Sequence, residues 1–513
     1  MMCDVTARQS RIDFNGFDTA DHEESTPTGL SYTEYQNGPD TEVPVFIIQT
    51  EEKLTSNNGY PSCTDHCLEV PANKDADKRA EKEDGGEDSS SESDFDPYEY
   101  GNDKNATSYW GTVMHMIIVG MSPTLLSLPH TFQQVGYVLG SVGSFCTVIL
   151  YAYCMHMIVD GEYILCKRLR RTKMSYTQVV YRAFRTGPKS LRWMASYCKN
   201  LIYFALICIW AGGNAIYVLL ISQNIRSALK YFYQFESNDR FIILYLVIPL
   251  VLLCWIPNLK LMVFYSSFSN TVNVCCILVI SYMAAQGLLP LGERKAFGEF
   301  IKIPYFLGVV FVTVNGTGLL MSLKNQMRNP RKFRSKAGVL NVSYVTTGIS
   351  YALFGLLCYL KFGAGIADNV ILNLPNTMFT NMIKLLYALS VIFFYPLVSY
   401  VTFDIVWNDT LKKKFTKSSN QKILKCVVQT CSALSSIVLA YVFPNMEIFV
   451  SVTGTVCASL DSIIMPAIIN MLVYSQENRF IANVKNVSII VLGILFIIAG
   501  IADSVKALGK YYK

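Results

Sequence analysis

Two short strings inside apolar stretches hold the residues best suited to binding a small polar molecule. The first is Gly120-Met121-Ser122-Pro123-Thr124, within the apolar run Trp110–Phe132, and the second is Asn315-Gly316-Thr317-Gly318, within Tyr305–Leu323. Both strings unwind helices. Proline removes a helix hydrogen bond, and glycine in a helix interior costs roughly 0.5–1 kcal/mol relative to alanine. The interruption frees backbone N–H and C=O groups. In lipid such groups persist only where protein, water or a ligand pairs with them. Two ionisable residues also lie in apolar sequence, His115 and Asp461. An imidazole takes up a proton near neutral pH. A carboxylate in a bilayer must be neutral, paired or in a wet cavity. The chemistry on offer is hydrogen bonding to a small solute, and proton uptake.

The elements that position these residues are membrane spans. Of 513 residues, 51% are hydrophobic and 16% charged, too apolar for a soluble globular chain. Residues 1–105 are polar and acidic. Their charge- and Ser-rich run from Lys74 to Asp94 cannot bury enough apolar surface to fold. We expect a disordered tail there, with a surface open to protein partners. Residues 106–508 form the membrane domain, and residues 509–513 a short C-terminal tail. No apolar leader opens the sequence, so the first span is expected to direct insertion itself. Cys63-Thr64-Asp65-His66-Cys67 lacks the second ligand pair of a structural zinc site. Most of the fifteen cysteines fall in apolar runs, where cysteine is a small hydrophobe, and no structural disulfide is expected. Walker loops, nucleotide fingerprints and clustered metal ligands are absent from the sequence. This points away from an enzyme, a bound cofactor or a nucleic-acid partner.

Length and apolarity predict eleven spans. They are Trp110–Phe132, Val135–Ile158, Asn200–Ser222, Phe241–Ile256, Ser267–Leu289, Tyr305–Leu323, Ala337–Tyr359, Met378–Val406, Ile423–Phe443, Ile448–Val473 and Val487–Leu508. The connections after spans two, six and eight are basic, for example Arg168, Arg170 and Arg171, then Arg331, Lys332 and Arg334, then Lys412, Lys413 and Lys414. The positive-inside rule puts all three in the cytosol. The N-terminal tail is then cytosolic and the C-terminus extracellular or lumenal, and no sequon faces the glycosylating side. The interrupted spans are the first and the sixth. That position suggests a five-plus-five inverted repeat with one extra helix, and a solute site where the two breaks meet.

Several strings make the resemblance specific. Met114-His115 precedes Leu125-Leu126-Ser127-Leu128-Pro129 and Gly136-Tyr137-Val138-Leu139-Gly140. After span six come Asn325-Gln326-Met327-Arg328-Asn329-Pro330-Arg331-Lys332-Phe333, and later Ile371-Leu372-Asn373-Leu374-Pro375. Over residues 105–508 the chain resembles the amino acid/auxin permease family, within it the proton-assisted amino acid transporter branch. The resemblance implies an all-α, polytopic, LeuT-like fold of about eleven helices. It also implies secondary transport of small neutral amino acids such as glycine, alanine and proline, together with protons. By this similarity the substrate carboxylate meets N–H groups near Met121, Ser122 and Thr124. Its ammonium meets carbonyls around Asn315, Gly316, Thr317 and Gly318. The sequence departs from the branch in two places. Ser122-Pro123-Thr124 replaces Gly-Thr-Gly. Asn315 and Lys324 stand where the branch commonly has glutamates, and Asn315 cannot titrate.

For proton coupling the sequence offers His115 and Asp461. Each also has a structural alternative, as a group hydrogen-bonded between helices. Three functions remain open: a proton-coupled carrier, a transporter-like sensor that signals through the tail, and a uniporter or sodium-coupled carrier. Either a plasma or an endolysosomal membrane is compatible with the sequence.

Overall fold

The computed structural model describes residues 95–99, 106–256, 259–406, 421–477 and 479–511. The rest of the acidic tail and the basic loop after span eight lie outside these residues. The described chain is all helical, apart from one isolated bridge between Thr107 and Met327.

Eleven helical elements follow the predicted order. Span one is Tyr109–Gly120 followed by Pro123–Val135, bent by 45°. Spans two to five are Tyr137–Arg168, Ala195–Tyr233, Asp239–Cys254 and Leu259–Ala285. Span six is Ile303–Val314 followed by Thr317–Asn325, and span seven is Val339–Phe362. Spans eight to eleven are Met378–Val406, Gln421–Val442, Met446–Val473 and Phe480–Tyr511. Among the described residues ten of these are long and apolar enough to cross a membrane, if the bent first pair is one span. The fourth helix falls short: its 16 residues reach roughly 24 Å at 1.5 Å per residue. Its outer face is a lipid-like stripe of exposed Phe241, Tyr245, Ile248 and Leu252.

Local chemistry explains the boundaries. Ser108 accepts from Gly111 N–H and starts span one, and Asn238 accepts from Arg240 N–H and starts span four. Gly136, at φ +87°, turns the chain between spans one and two, where a Cβ would meet the Ala296 carbonyl carbon and oxygen. The basic connection after span two contains a further helix, Tyr176–Thr186, begun by a capping box of Ser175 and Gln178.

Spans ten, six and three lie at the centre, with 72%, 67% and 67% of their apolar windows buried, against 28% for span eleven. Glycine allows this. A Cβ on Gly454 of span ten would sit 2.1 Å from the Gly308 carbonyl oxygen of span six. One on Gly212 of span three would sit 2.0 Å from Thr453 Cγ2 of span ten. Gly212-Gly213-Asn214 therefore mark a close crossing inside a continuous helix. Span ten winds as π-helix over Ser451–Cys457 and Leu460–Ile464. The fold class is the one the sequence implies: a polytopic all-α membrane protein whose first and sixth spans are broken.

Candidate functional site: two broken helices in contact

At the first break the freed carbonyls are taken by side chains from three other spans. Tyr351 OH donates to the Gly120 carbonyl at 2.5 Å, Asn273 Nδ2 to Met121 at 2.5 Å and Tyr387 OH to Pro123 at 3.0 Å. The Ser122 carbonyl accepts from Leu125 N–H at 3.0 Å. Met121 N–H bonds back to the carbonyls of Ile117 and Ile118. The amides fare differently. Pro123 has no N–H, and those of Ser122 and Thr124 meet no acceptor among the described residues. They sit at the start of the second half-helix, where the helix dipole favours negative charge.

The second break is the reverse. Its amides are taken: Gly316 N–H donates to Tyr151 OH at 3.0 Å and Thr317 N–H to Asn315 Oδ1 at 3.3 Å. Its carbonyls at Val312, Val314 and Asn315 meet no donor among the described residues. Two groups break the pattern, the Val119 carbonyl and the Gly318 N–H, which likewise meet no partner.

The breaks touch. Ser122 Oγ donates to the Thr313 carbonyl at 3.3 Å, and Thr124 Oγ1 to Thr313 Oγ1 at 3.2 Å. A Cβ on Gly316 would lie 3.1 Å from Val119 Cγ1, and one on Gly318 would lie 3.8 Å from Trp210. Glycine at both positions lets the backbone be approached closely.

Asp461 joins this assembly. Thr317 Oγ1 bonds Tyr151 OH at 2.9 Å and Ser462 Oγ at 2.8 Å, and Ser462 Oγ donates to Asp461 Oδ2 at 3.3 Å. The other Asp461 oxygen, Oδ1, is buried without a partner, as is Asn315 Nδ2. His115 is half-buried and five residues before Gly120, roughly 7.5 Å along the helix. Of the other histidines, His156 bonds Asn341 Oδ1 at 2.8 Å and His130 lies 3.5 Å from Asp368.

Some residues of the site escape a sequence reading. Tyr151, Tyr351 and Tyr387 are fully buried and hold the breaks. Nothing in their neighbourhoods sets them apart, because each acts on a distant segment. Lys324, a departure from the branch, pairs with Glu162, and both are almost wholly buried. The Tyr98 ring lies 5.5 Å from its ammonium.

Comparison with known proteins identifies the family. The sequence profile of the transmembrane amino acid transporter protein family matches residues 105–506. The proton-coupled amino acid transporter-like protein pathetic of Drosophila melanogaster is 27% identical over 82% of this chain and 89% of its own. The amino acid transporter ANT1 of Arabidopsis thaliana is 24% identical over 78% and 92%. Solved structures align at lower similarity. Inward-facing Mhp1 has a TM-score of 0.48 at 12% identity, over 80% of this chain and 92% of that one. MhsT with L-phenylalanine has 0.44 at 11%, over 79% and 100%. The profile spans most of the chain, and the chain belongs to the transmembrane amino acid transporter family.

Proposed function

We propose that this secondary transporter carries small neutral amino acids of the glycine, alanine and proline type, coupled to protons, with the substrate held between the two breaks. One observation carries the reading: the first break leaves N–H groups unpaired and the second leaves C=O groups unpaired. A zwitterion supplies the complement of both, a carboxylate for the Ser122 and Thr124 amides and an ammonium for the Val312, Val314 and Asn315 carbonyls. Such charge-assisted bonds contribute about 1.5–3 kcal/mol each. Gly316 and Gly318, against Val119 and Trp210, suit small side chains.

Asp461 is the first candidate for the coupled proton, because it touches the break through Ser462 and Thr317. His115, on the same span as the first break, is the second. The basic connections face the cytosol, so the N-terminus is cytosolic and the C-terminus extracellular or lumenal. The membrane is the plasma or the endolysosomal one.

The test is uptake of radiolabelled alanine, glycine and proline at about pH 5.5 and about pH 7.4, on either side of the ordinary histidine pKa. Wild type runs beside Asp461→Asn and His115→Ala, with surface protein measured. Acid-stimulated uptake that one variant abolishes is the expected result. Uptake indifferent to pH leaves a uniporter or a sodium-coupled carrier. No uptake, with protein at the surface, overturns the transport reading.

A second reading, a sensor that signals through its tail, is favoured by one contact. Asp96 and Glu99 of the tail both bind Arg331, at 2.5 and 3.0 Å, in the connection after span six. Amino acid binding without flux would support it.

A further inference from the structure

Two lysines are buried in this bundle, and they are held in opposite ways. Lys324 is paired with the Glu162 carboxylate. Lys384, in the second turn of span eight, is fully buried, and among the described residues no carboxylate lies within 4.0 Å of it. Its partners are neutral oxygens, Ser227 Oγ at 3.2 Å and Asn376 Oδ1 at 3.5 Å.

The surroundings are rich in acceptors that lack donors. Asn381, one turn before Lys384, gives its Nδ2 to the Thr377 carbonyl and keeps Oδ1 unpaired. Asn224, across on span three, gives its Nδ2 to the Leu220 carbonyl and keeps Oδ1 unpaired. It is three residues before Ser227 and shares its face of that helix. These oxygens repel an anion and accept from an ammonium or from water. One turn on, Tyr387 OH holds the Pro123 carbonyl at the first break. Lys384 thus joins a polar cluster to the side chain that ties the site.

The carboxylates of the neighbouring helix ends have other partners. On span three Arg226 pairs with Asp239 of span four at 2.8 Å, and Lys230 with Glu236 at 2.7 Å. Arg240 follows Asp239 in the first turn of span four. Spans five and nine contain no Asp or Glu.

We propose that Lys384 carries a proton in the transport cycle. Its amine takes the proton from the outer solution as the carrier faces outward, moves as NH3+ with the loaded carrier, releases the proton on the inner side and returns as NH2. One proton enters and one leaves per cycle. This rests on the proposed proton-coupled transport and on its sidedness. It adds a carrier of positive charge where the branch's span-six carboxylates are missing.

The experiment uses the full chain in proteoliposomes with alanine and two readouts. The first is accumulation driven by an imposed pH gradient, with lumenal pH followed by a trapped dye. The second is alanine exchange at equal pH on both sides, which needs substrate binding but no net proton movement. Lys384→Arg keeps the charge and cannot release it. We expect it to lose accumulation and dye response by at least about tenfold while exchange stays within about twofold of wild type. Lys384→Gln, always neutral, should do the same, and it serves if arginine does not fit. A Lys384→Arg protein that accumulates alanine like wild type shows a structural lysine and overturns the inference. Wild type that exchanges but never responds to the gradient overturns it too. Wild type that does neither overturns the transport reading beneath it.

Discussion

The two breaks solve one problem from opposite ends. Each releases amides and carbonyls into a low-dielectric interior, where an unpaired group costs about 1–3 kcal/mol. At the first break other spans supply donors, so the carbonyls are satisfied through Tyr351, Asn273 and Tyr387. At the second, acceptors are supplied, so the amides are satisfied through Tyr151 and Asn315. Apart from the Val119 carbonyl and the Gly318 amide, what each leaves unpaired has the opposite polarity. Two like-sounding sequence interruptions have become a negative-seeking end and a positive-seeking end, and the difference lies in side chains far away in sequence.

This contrast can be attacked by mutation. The largest effect is expected from Gly316→Val, which wedges two methyl groups against Val119, where a bare Cβ already lies 3.1 Å away. Alanine uptake should fall to background with normal surface protein; near-wild-type uptake would remove the substrate from between the breaks. Next is Thr124→Pro, read against Thr124→Val: both delete the hydroxyl's bonds to Ser122 and Thr313, and only proline also deletes an unpaired amide, at a helix start that tolerates it. Losing a hydrogen bond to a charged group, about 1.5–3 kcal/mol, raises the KM for alanine roughly 10- to 150-fold. Competition by alaninol, which has no carboxylate, should be unchanged; an equal loss for both compounds would point to damage elsewhere.

Tyr351→Phe and Tyr151→Phe each strand one backbone group and should lower stability by about 1–3 kcal/mol, read by thermal melting of purified protein. Their effects on ligands should diverge. The stranded Gly120 carbonyl weakens competition by propionate, and the stranded Gly316 amide weakens competition by alaninol. If both mutants disturb both analogues alike, the opposite polarity of the breaks is wrong. The smallest effect is expected from Ser122→Ala, which removes the hydroxyl's bonds to Thr124 and the Thr313 carbonyl. About 0.5–1.5 kcal/mol predicts a KM increase of at most roughly tenfold.

Much of the fold is legible in the sequence because apolar length and helix breakers are local properties. Span eight is predicted as Met378–Val406 and observed with those limits, and both interruptions fall where glycine and proline put them. The fourth span, predicted as Phe241–Ile256, is a helix over Asp239–Cys254, displaced by two residues because Asn238 caps it earlier than its apolar run begins. The helix Tyr176–Thr186 hides in a basic connection, because its apolar face is amphipathic and short. The site is only half legible. Ser122, Thr124, Asn315 and Gly316 announce themselves as breakers, and Asp461 as a charge out of place. Tyr151, Tyr351, Tyr387, Asn273 and Glu162 do not, since their meaning is the partner they reach across more than a hundred residues of chain.

Span ten has a consequence for how Asp461 is aimed. Its carboxylate lies in the second of two π-helical stretches, each of which absorbs extra residue into a wider turn. The angular phase of everything beyond Thr453 depends on keeping that surplus. Tightening those turns to ordinary winding with no residue lost would swing later side chains by about 100° for each surplus residue. Asp461 and Ser462 would then point at different neighbours, with the site residues of the other spans left in place.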